Sequence, residues 1–225
     1  MIGTIVNTGT ILAGSLLGSL LRKGIQEKYR NALYTAMGLA ATGLGINAVV
    51  QNMPNSTFPV LFILSLALGS FLGTVLNLDG GFQRLTARFS SGNLGQGLST
   101  GILLFCIGTL SILGPIQSAL YGDNTYLFTN ATLDFVTSMV LASTYGIGMA
   151  LAAPVLFLWQ GGLYLFAGML TDLVTTELMT EISIVGGFLI ASSGISILGL
   201  KDCKTLNMLP SLLVPVAWFV IRSLF

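Results

Sequence analysis

The chain has 225 residues, 53% of them hydrophobic, with 9 Lys or Arg, 8 Asp or Glu, no His and 28 Gly. So little charge excludes a water-soluble globular domain, in which roughly a quarter of residues are charged, and with a mean hydropathy of +0.88 the chain reads as an all-α, polytopic membrane protein. The near-neutral balance excludes nucleic acid as a partner, which needs clustered Lys and Arg, and the missing imidazole removes the usual general base and the commonest transition-metal ligand.

A helix needs about 20 mainly apolar residues to cross a bilayer. Eight such spans are predicted, at residues 2–21, 33–50, 58–76, 98–113, 132–150, 154–171, 184–200 and 206–224, in a single transmembrane domain covering 1–225. The first has no basic residues before it, and Arg22 and Lys23 come after it, so it reads as an uncleaved span and not a signal peptide. Gly3, Asn7, Gly14 and Gly18 share one face of that helix, a pattern that lets a neighbouring backbone approach closely.

A local phrase recurs in three later spans: Thr42-Gly43-Leu44-Gly45-Ile46, Gly108-Thr109-Leu110-Ser111-Ile112 and Ser193-Gly194-Ile195-Ser196-Ile197. Spans one to three and six to eight are therefore candidate inverted repeats, an organisation that places a transport site near the midplane. Gly43, Gly108 and Gly194 join the first-helix glycines as expected packing positions.

Between the third and fourth spans, Phe82, Leu85 and Phe89 lie on one face and Arg84 and Arg88 on another, which predicts a short helix in the membrane interface. Residues Pro115 to Asn130 read as the longest outside segment, with Tyr121, Tyr126 and Phe128 at the headgroup level around a Gly122-Asp123-Asn124 turn; a re-entrant hairpin is the sharper reading. The fifth and sixth spans almost run together at Ala150 to Pro154, so they form either a tight hairpin turned at Ala152, Ala153 and Pro154 or one kinked helix.

Loop charge favours eight spans. The basic segments at Arg22 to Arg30, at Arg84 and Arg88, and at Lys201 and Lys204 then all fall on the cytoplasmic side. Asp123 and the linker with Asp172, Glu177 and Glu181 lie outside, as do both termini, in a multi-pass protein of the bacterial cytoplasmic (inner) membrane.

Asp134 is the one acid inside a predicted span, and an ionisable group there is a functional candidate because inserting it costs a few kcal/mol. Thr137, Ser138, Tyr145 and Gly148 follow it along one predicted face. A carboxylate with hydroxyls replacing water suits a cation or proton path, whereas a carboxylate near a helix start also suits the helix dipole.

Asn7, Gln160 and Asn207 complete the candidate ion-pathway residues. Asn7 also suits an interhelical hydrogen bond. The Gln160-Gly161-Gly162 triplet suits a locally unwound helix that frees carbonyls, and Asn207, before Pro210, suits a helix cap. Cys106 reads as an apolar helix residue. The Asn55-Ser56-Thr57 and Asn130-Ala131-Thr132 triplets match the glycosylation pattern only weakly. No catalytic constellation is present, so no enzyme, no cofactor and no metal site is expected.

Several stretches together resemble the uncharacterised bacterial inner-membrane proteins of the YdfK/YqgA type, in order and over nearly the whole chain. They are Met1-Ile2-Gly3-Thr4-Ile5-Val6-Asn7, the Gly-rich second span, Phe105-Cys106-Ile107-Gly108, Leu133-Asp134 through Gly146-Ile147-Gly148, Gln160-Gly161 and Asn207-Met208-Leu209-Pro210. The resemblance implies an expectation of a sodium channel or pump. The group's pattern has Lys-Ser before the Leu-Asp pair and Gly after it, whereas here Asn130-Ala131-Thr132 precedes and Phe135 follows, so any Lys paired with the acid is put in doubt.

The expected function is a small ion channel or secondary transporter for a monovalent cation, with the lipid bilayer and a small inorganic ion as partners. A homo-oligomer, a dimer above all, is expected because short Gly-rich helices leave little room for a cavity in one protomer. The alternative is a non-transporting membrane scaffold that packs through its glycine faces.

Overall fold

The protein is described from a computed structural model at residues 1–21, 26–87, 101–102, 105–106, 109–169 and 175–223. In chain order the helices are α1 (Ile2–Leu20), α2 (Glu27–Asn52), α3 (Leu61–Val75), α4 (Leu78–Ala87), α5 (Thr109–Tyr121), α6 (Thr125–Tyr145), α7 (Ala152–Met169), α8 (Thr176–Ile197), α9 (Thr205–Met208) and α10 (Leu213–Ser223). Short 3-10 turns at Met53–Asn55, Ile147–Leu151 and Leu209–Leu212 lead out of α2, into α7 and between α9 and α10. No strand occurs among the described residues.

The architecture is a membrane helical bundle, although the count differs from eight. Among the described residues five stretches are both long and apolar enough to cross, Ile2–Leu20, Glu27–Asn55, Ile147–Gly168, Thr176–Ile197 and Thr205–Arg222, with Leu61–Val75 shorter. The 21-residue α6 has the length, but Asn130, Asp134 and its run of Thr and Ser dilute its hydropathy. Apolar side chains face outward, Phe71 at 72% exposed and Leu158 at 74%, while Asn7, Ser15, Ser65, Gln160 and Ser211 are wholly buried. That inverted distribution suits a lipid surround.

The chain sorts into two compact units, residues 1–33 with 82–171 and residues 34–81 with 172–225. In the first, Gly3 meets Leu127, Gly14 meets Phe135 and Ser138, and Gly18 meets Met139, so α1 and α6 run parallel at backbone contact. Gly114 against Leu127 and Gly101 near Leu141 make α5 and the helical residues before it antiparallel to α6. Gly101 also meets Met149, and Ser111 meets Gln160, so α5 and α7 run parallel. The chain therefore reverses between α6 and α7. It turns at Gly146, whose φ of +86° suits glycine, and not at Ala152 to Pro154, which belong to α7. Gly148 lies in that turn and so leaves the Asp134 face.

The segment expected outside is helical. Pro115 is inside α5, Thr125 to Asn130 open α6, and only Gly122 to Asn124 connect them. Gly122 has φ +70°, and Asp123 Oδ1 accepts from the Thr125 N–H at 2.9 Å, so the turn is tight and self-capped. Asn124 Oδ1 also accepts from Ser118 Oγ and the Gly3 N–H, fastening the start of α1 to that turn.

In the second unit, Gly38 and Gly45 of α2 face Gly194 and Gly187 of α8, an antiparallel crossing with the same seven-residue glycine spacing on both helices. A Cβ on Gly38 would lie 3.0 Å from the Gly194 carbonyl and one on Gly194 2.7 Å from the Gly38 carbonyl, so neither position accepts a side chain. Along α3, Gly69 meets Ser211 and Gly73 meets Asn207, again antiparallel. Gly43, expected at a contact, meets nothing within 4 Å among the described residues, because the glycines on its own helix at 38 and 45 carry the α8 contact. Gly108 lies outside the described residues.

Helix α4 covers residues 82–87 of the short helix expected there, with Arg84 exposed; Arg88 and Phe89 lie outside the described residues. Helix α8 begins at Thr176, with Thr175 Oγ1 accepting from the Leu178 N–H at 3.2 Å, so Glu177 and Glu181 are helical and not in a linker.

Candidate functional site

Asp134 sits in the middle of α6, buried at 4% exposure, which removes the simple helix-start explanation. One turn before it, Asn130 donates from Nδ2 to Asp134 Oδ2 at 2.8 Å. Asn130, 4% exposed, is thereby excluded as a glycosylation acceptor. Asn7 of α1 lies near the Asp134 carboxyl group, and its Nδ2 has no hydrogen-bond partner among the described residues. Thr10 Oγ1 donates to the Asn7 carbonyl at 2.7 Å and reaches Asn7 Oδ1 at 3.4 Å.

Below this cluster Ile11, Phe105, Cys106, Ala152, Ala153 and Leu156 form one buried apolar group, in which Cys106 plays the expected apolar part. Because α1 runs with α6 and α7 against it, one turn back from Ile11 is level with one turn on from Leu156. Those positions are Asn7 and Gln160. Gln160 is wholly buried; its Nε2 donates to Ser111 Oγ at 3.0 Å and its Oε1 has no partner among the described residues. Helix α7 is continuous through Gln160-Gly161-Gly162, so no carbonyls are freed by unwinding there.

The register sets Asn7 and Gln160 at the level of Asn130, one turn before Asp134, and Asn130 and Ser111 are partners that the sequence pattern did not single out. Asn130 had a readable signal, being one helical turn from the acid, whereas Ser111 stood only as part of the recurring 108–112 phrase. Thr137, 8% exposed, and Ser138, wholly buried, continue along α6. Ser138 Oγ donates to the Phe135 carbonyl at 3.0 Å and packs on Gly14, so its hydroxyl serves the α1 contact. Asn207 belongs to the second unit, where its Oδ1 accepts from the Asp79 N–H at 2.9 Å; it caps α4 and not its own helix.

A second buried acid is Glu181 of α8, 1% exposed. Its Oε1 accepts from Ser56 Oγ at 2.6 Å and from the Phe58 N–H at 3.2 Å, closing the α2–α3 connection onto α8. Beside it Arg222 pairs with Glu177 at 3.3 Å and lies 5.2 Å over the Phe58 ring, which also meets Trp218 edge-on. At Lys204, the hydrogen bond and charge of Asp79 hold the amine above the usual lysine range.

Residues 2–220 match the family described as "Protein of unknown function (DUF554)". The chain belongs to the DUF554 family. It is 57% identical over 224 residues to "Uncharacterized membrane protein YdfK" of Bacillus subtilis (strain 168), covering 99% of this chain and 98% of that one. It is 30% identical over 239 residues to "Uncharacterized protein YqgA" of Escherichia coli (strain K12), covering 97% and 99%. The YdfK/YqgA resemblance read from the residues is therefore correct. No solved structure matches the chain. As in its DUF554 relative from Bacillus, membrane character goes with the apolar helices described above.

Proposed function

We propose that this DUF554 protein is an ion channel or secondary transporter that passes a monovalent cation through the first unit, with Asp134 as the charged ligand. The observation that carries the reading is a carboxylate at 4% exposure in mid-helix, attended by the amides of Asn130 and Asn7, with no cationic side chain among its described partners. A buried charge without a counter-charge is expensive, and a small cation supplies that charge. Asn7, Thr137, Ser138 and Gln160 line the same region; Asn207, capping α4 in the second unit, is not part of this reading.

The basic segments orient the chain with both termini outside the bacterial cytoplasmic membrane. A homo-oligomer is part of the reading, and the outward Gly43 and Gly162, which meet nothing within 4 Å among the described residues, support close contact with a second copy.

One observation favours a scaffold instead: the Asn130 amide already occupies one Asp134 oxygen. Cation-dependent thermal stability of the purified protein separates the two. A ligand that binds only the folded state raises Tm with concentration. On the transport reading, lithium, sodium or potassium chloride raises Tm beyond choline chloride, and Asp134→Asn abolishes the difference. Equal curves in all salts would leave the scaffold reading.

A further inference from the structure

Among the described residues five buried side-chain atoms have no hydrogen-bond partner, and four of them belong to the first unit: Thr4 Oγ1, Asn7 Nδ2, Ser15 Oγ and Gln160 Oε1. Three of these lie on α1. Steps of three, four and four residues put Thr4, Asn7, Ile11 and Ser15 on one face, a row about 16 Å long, and all four side chains are wholly buried. The row is polar except at Ile11. There it meets Phe105, Cys106, Ala152, Ala153 and Leu156, so α1, α7 and the helical residues before α5 each place apolar side chains in one group, against which Leu141 of α6 packs. On α1, Asn7 stands one turn to one side of that group and Ser15 one turn to the other. The Asp134 carboxyl group, held by Asn130 and near Asn7, lies on the Asn7 side.

Both parts of this arrangement run against ordinary packing in lipid. An apolar group inside a membrane bundle gains nothing from burial that lipid tails would not give, and an unpaired buried hydroxyl or amide costs stability unless water or an ion serves it. We propose that this face of α1 is a wall of the cation path, that Thr4, Asn7 and Ser15 face its hydrated stretches, and that Ile11, Phe105 and Leu156 are its gate, a dry constriction that closes by excluding water. The small side chains of Cys106, Ala152 and Ala153 leave these three bulky ones to fill it. The inference rests on the transport reading and names what closes the path next to Asp134.

The test is sodium and potassium flux into proteoliposomes, with labelling of Cys106 by a charged thiol reagent, in a Cys203→Ala background, as a second readout. Wild type, Ile11→Val, Ile11→Ser, Leu156→Ser and Leu12→Ser are compared, each checked for a monodisperse folded species. Leu12 is the control, the next residue on α1 and 46% exposed on its outer face. A serine in the gate admits water, so Ile11→Ser and Leu156→Ser each raise flux about tenfold, the scale of wetting one apolar side chain, and speed the labelling of Cys106. Ile11→Val and Leu12→Ser stay near wild type in both readouts. Folded gate variants with flux no higher than wild type, or an equal rise in Leu12→Ser, would overturn the gate and leave the transport reading standing. Wild-type and gate-variant vesicles no more permeable than protein-free ones would overturn both.

Discussion

Two buried carboxylates, Asp134 and Glu181, differ in what surrounds them, and the difference separates a functional from a structural group. Glu181 Oε1 takes a hydroxyl and a backbone N–H from the α2–α3 connection, so its task is to hold that connection down. Removing it leaves the Phe58 N–H without its carboxylate acceptor. Glu181→Ala is expected to destabilise the protein by about 1–3 kcal/mol and Glu181→Gln by less, because the amide oxygen still accepts; thermal or denaturant unfolding in detergent measures both, and ion flux per folded molecule stays unchanged. Asp134 has amides near it and its acidic character is the part left unexplained by packing. The sequence pointed to Asp134 because it interrupts an apolar run, and it missed Glu181 because an acid near a run of polar residues reads as a linker. Helix α8 starts eight residues before the predicted span, at a Thr cap that hydropathy does not register.

At the scale of helices, glycine partners carry the packing. Gly14 and Gly18 against α6, and Gly38 and Gly45 against Gly194 and Gly187, bring backbones together with no space for a Cβ. Gly45→Val forces α2 and α8 apart and is expected to destabilise by about 1–3 kcal/mol or more, whereas Gly43→Ala, two residues away on an open face, is neutral or mildly stabilising through helix propensity, by up to about 1 kcal/mol; parallel unfolding curves compare them. The face of α1 was legible because Gly3, Asn7, Gly14 and Gly18 follow the helical period. The choice between Gly43 and Gly45 was not, because it depends on which side of α2 meets α8. Pro115 misled for a similar reason: proline ends most helices, yet α5 continues through it to Tyr121.

For the whole molecule, composition was enough to fix a membrane helical bundle, since apolar surface and glycine-lined contacts leave few alternatives in lipid. The division into two units, and the approach of Asn7 on α1 to Asp134 on α6 within the first, depend on long-range pairing that no local pattern encodes. The role of Asp134 is measured most directly as monovalent-cation flux into proteoliposomes of wild type beside Asp134→Asn, an isosteric change that keeps an acceptor for Asn130 and removes the charge. Saturable flux is expected in wild type, with at least a tenfold loss in the variant at equal reconstituted protein. Flux unaffected by Asp134→Asn would contradict the assignment of Asp134 as the charged ligand, and no flux from folded wild type under any imposed gradient would contradict transport itself.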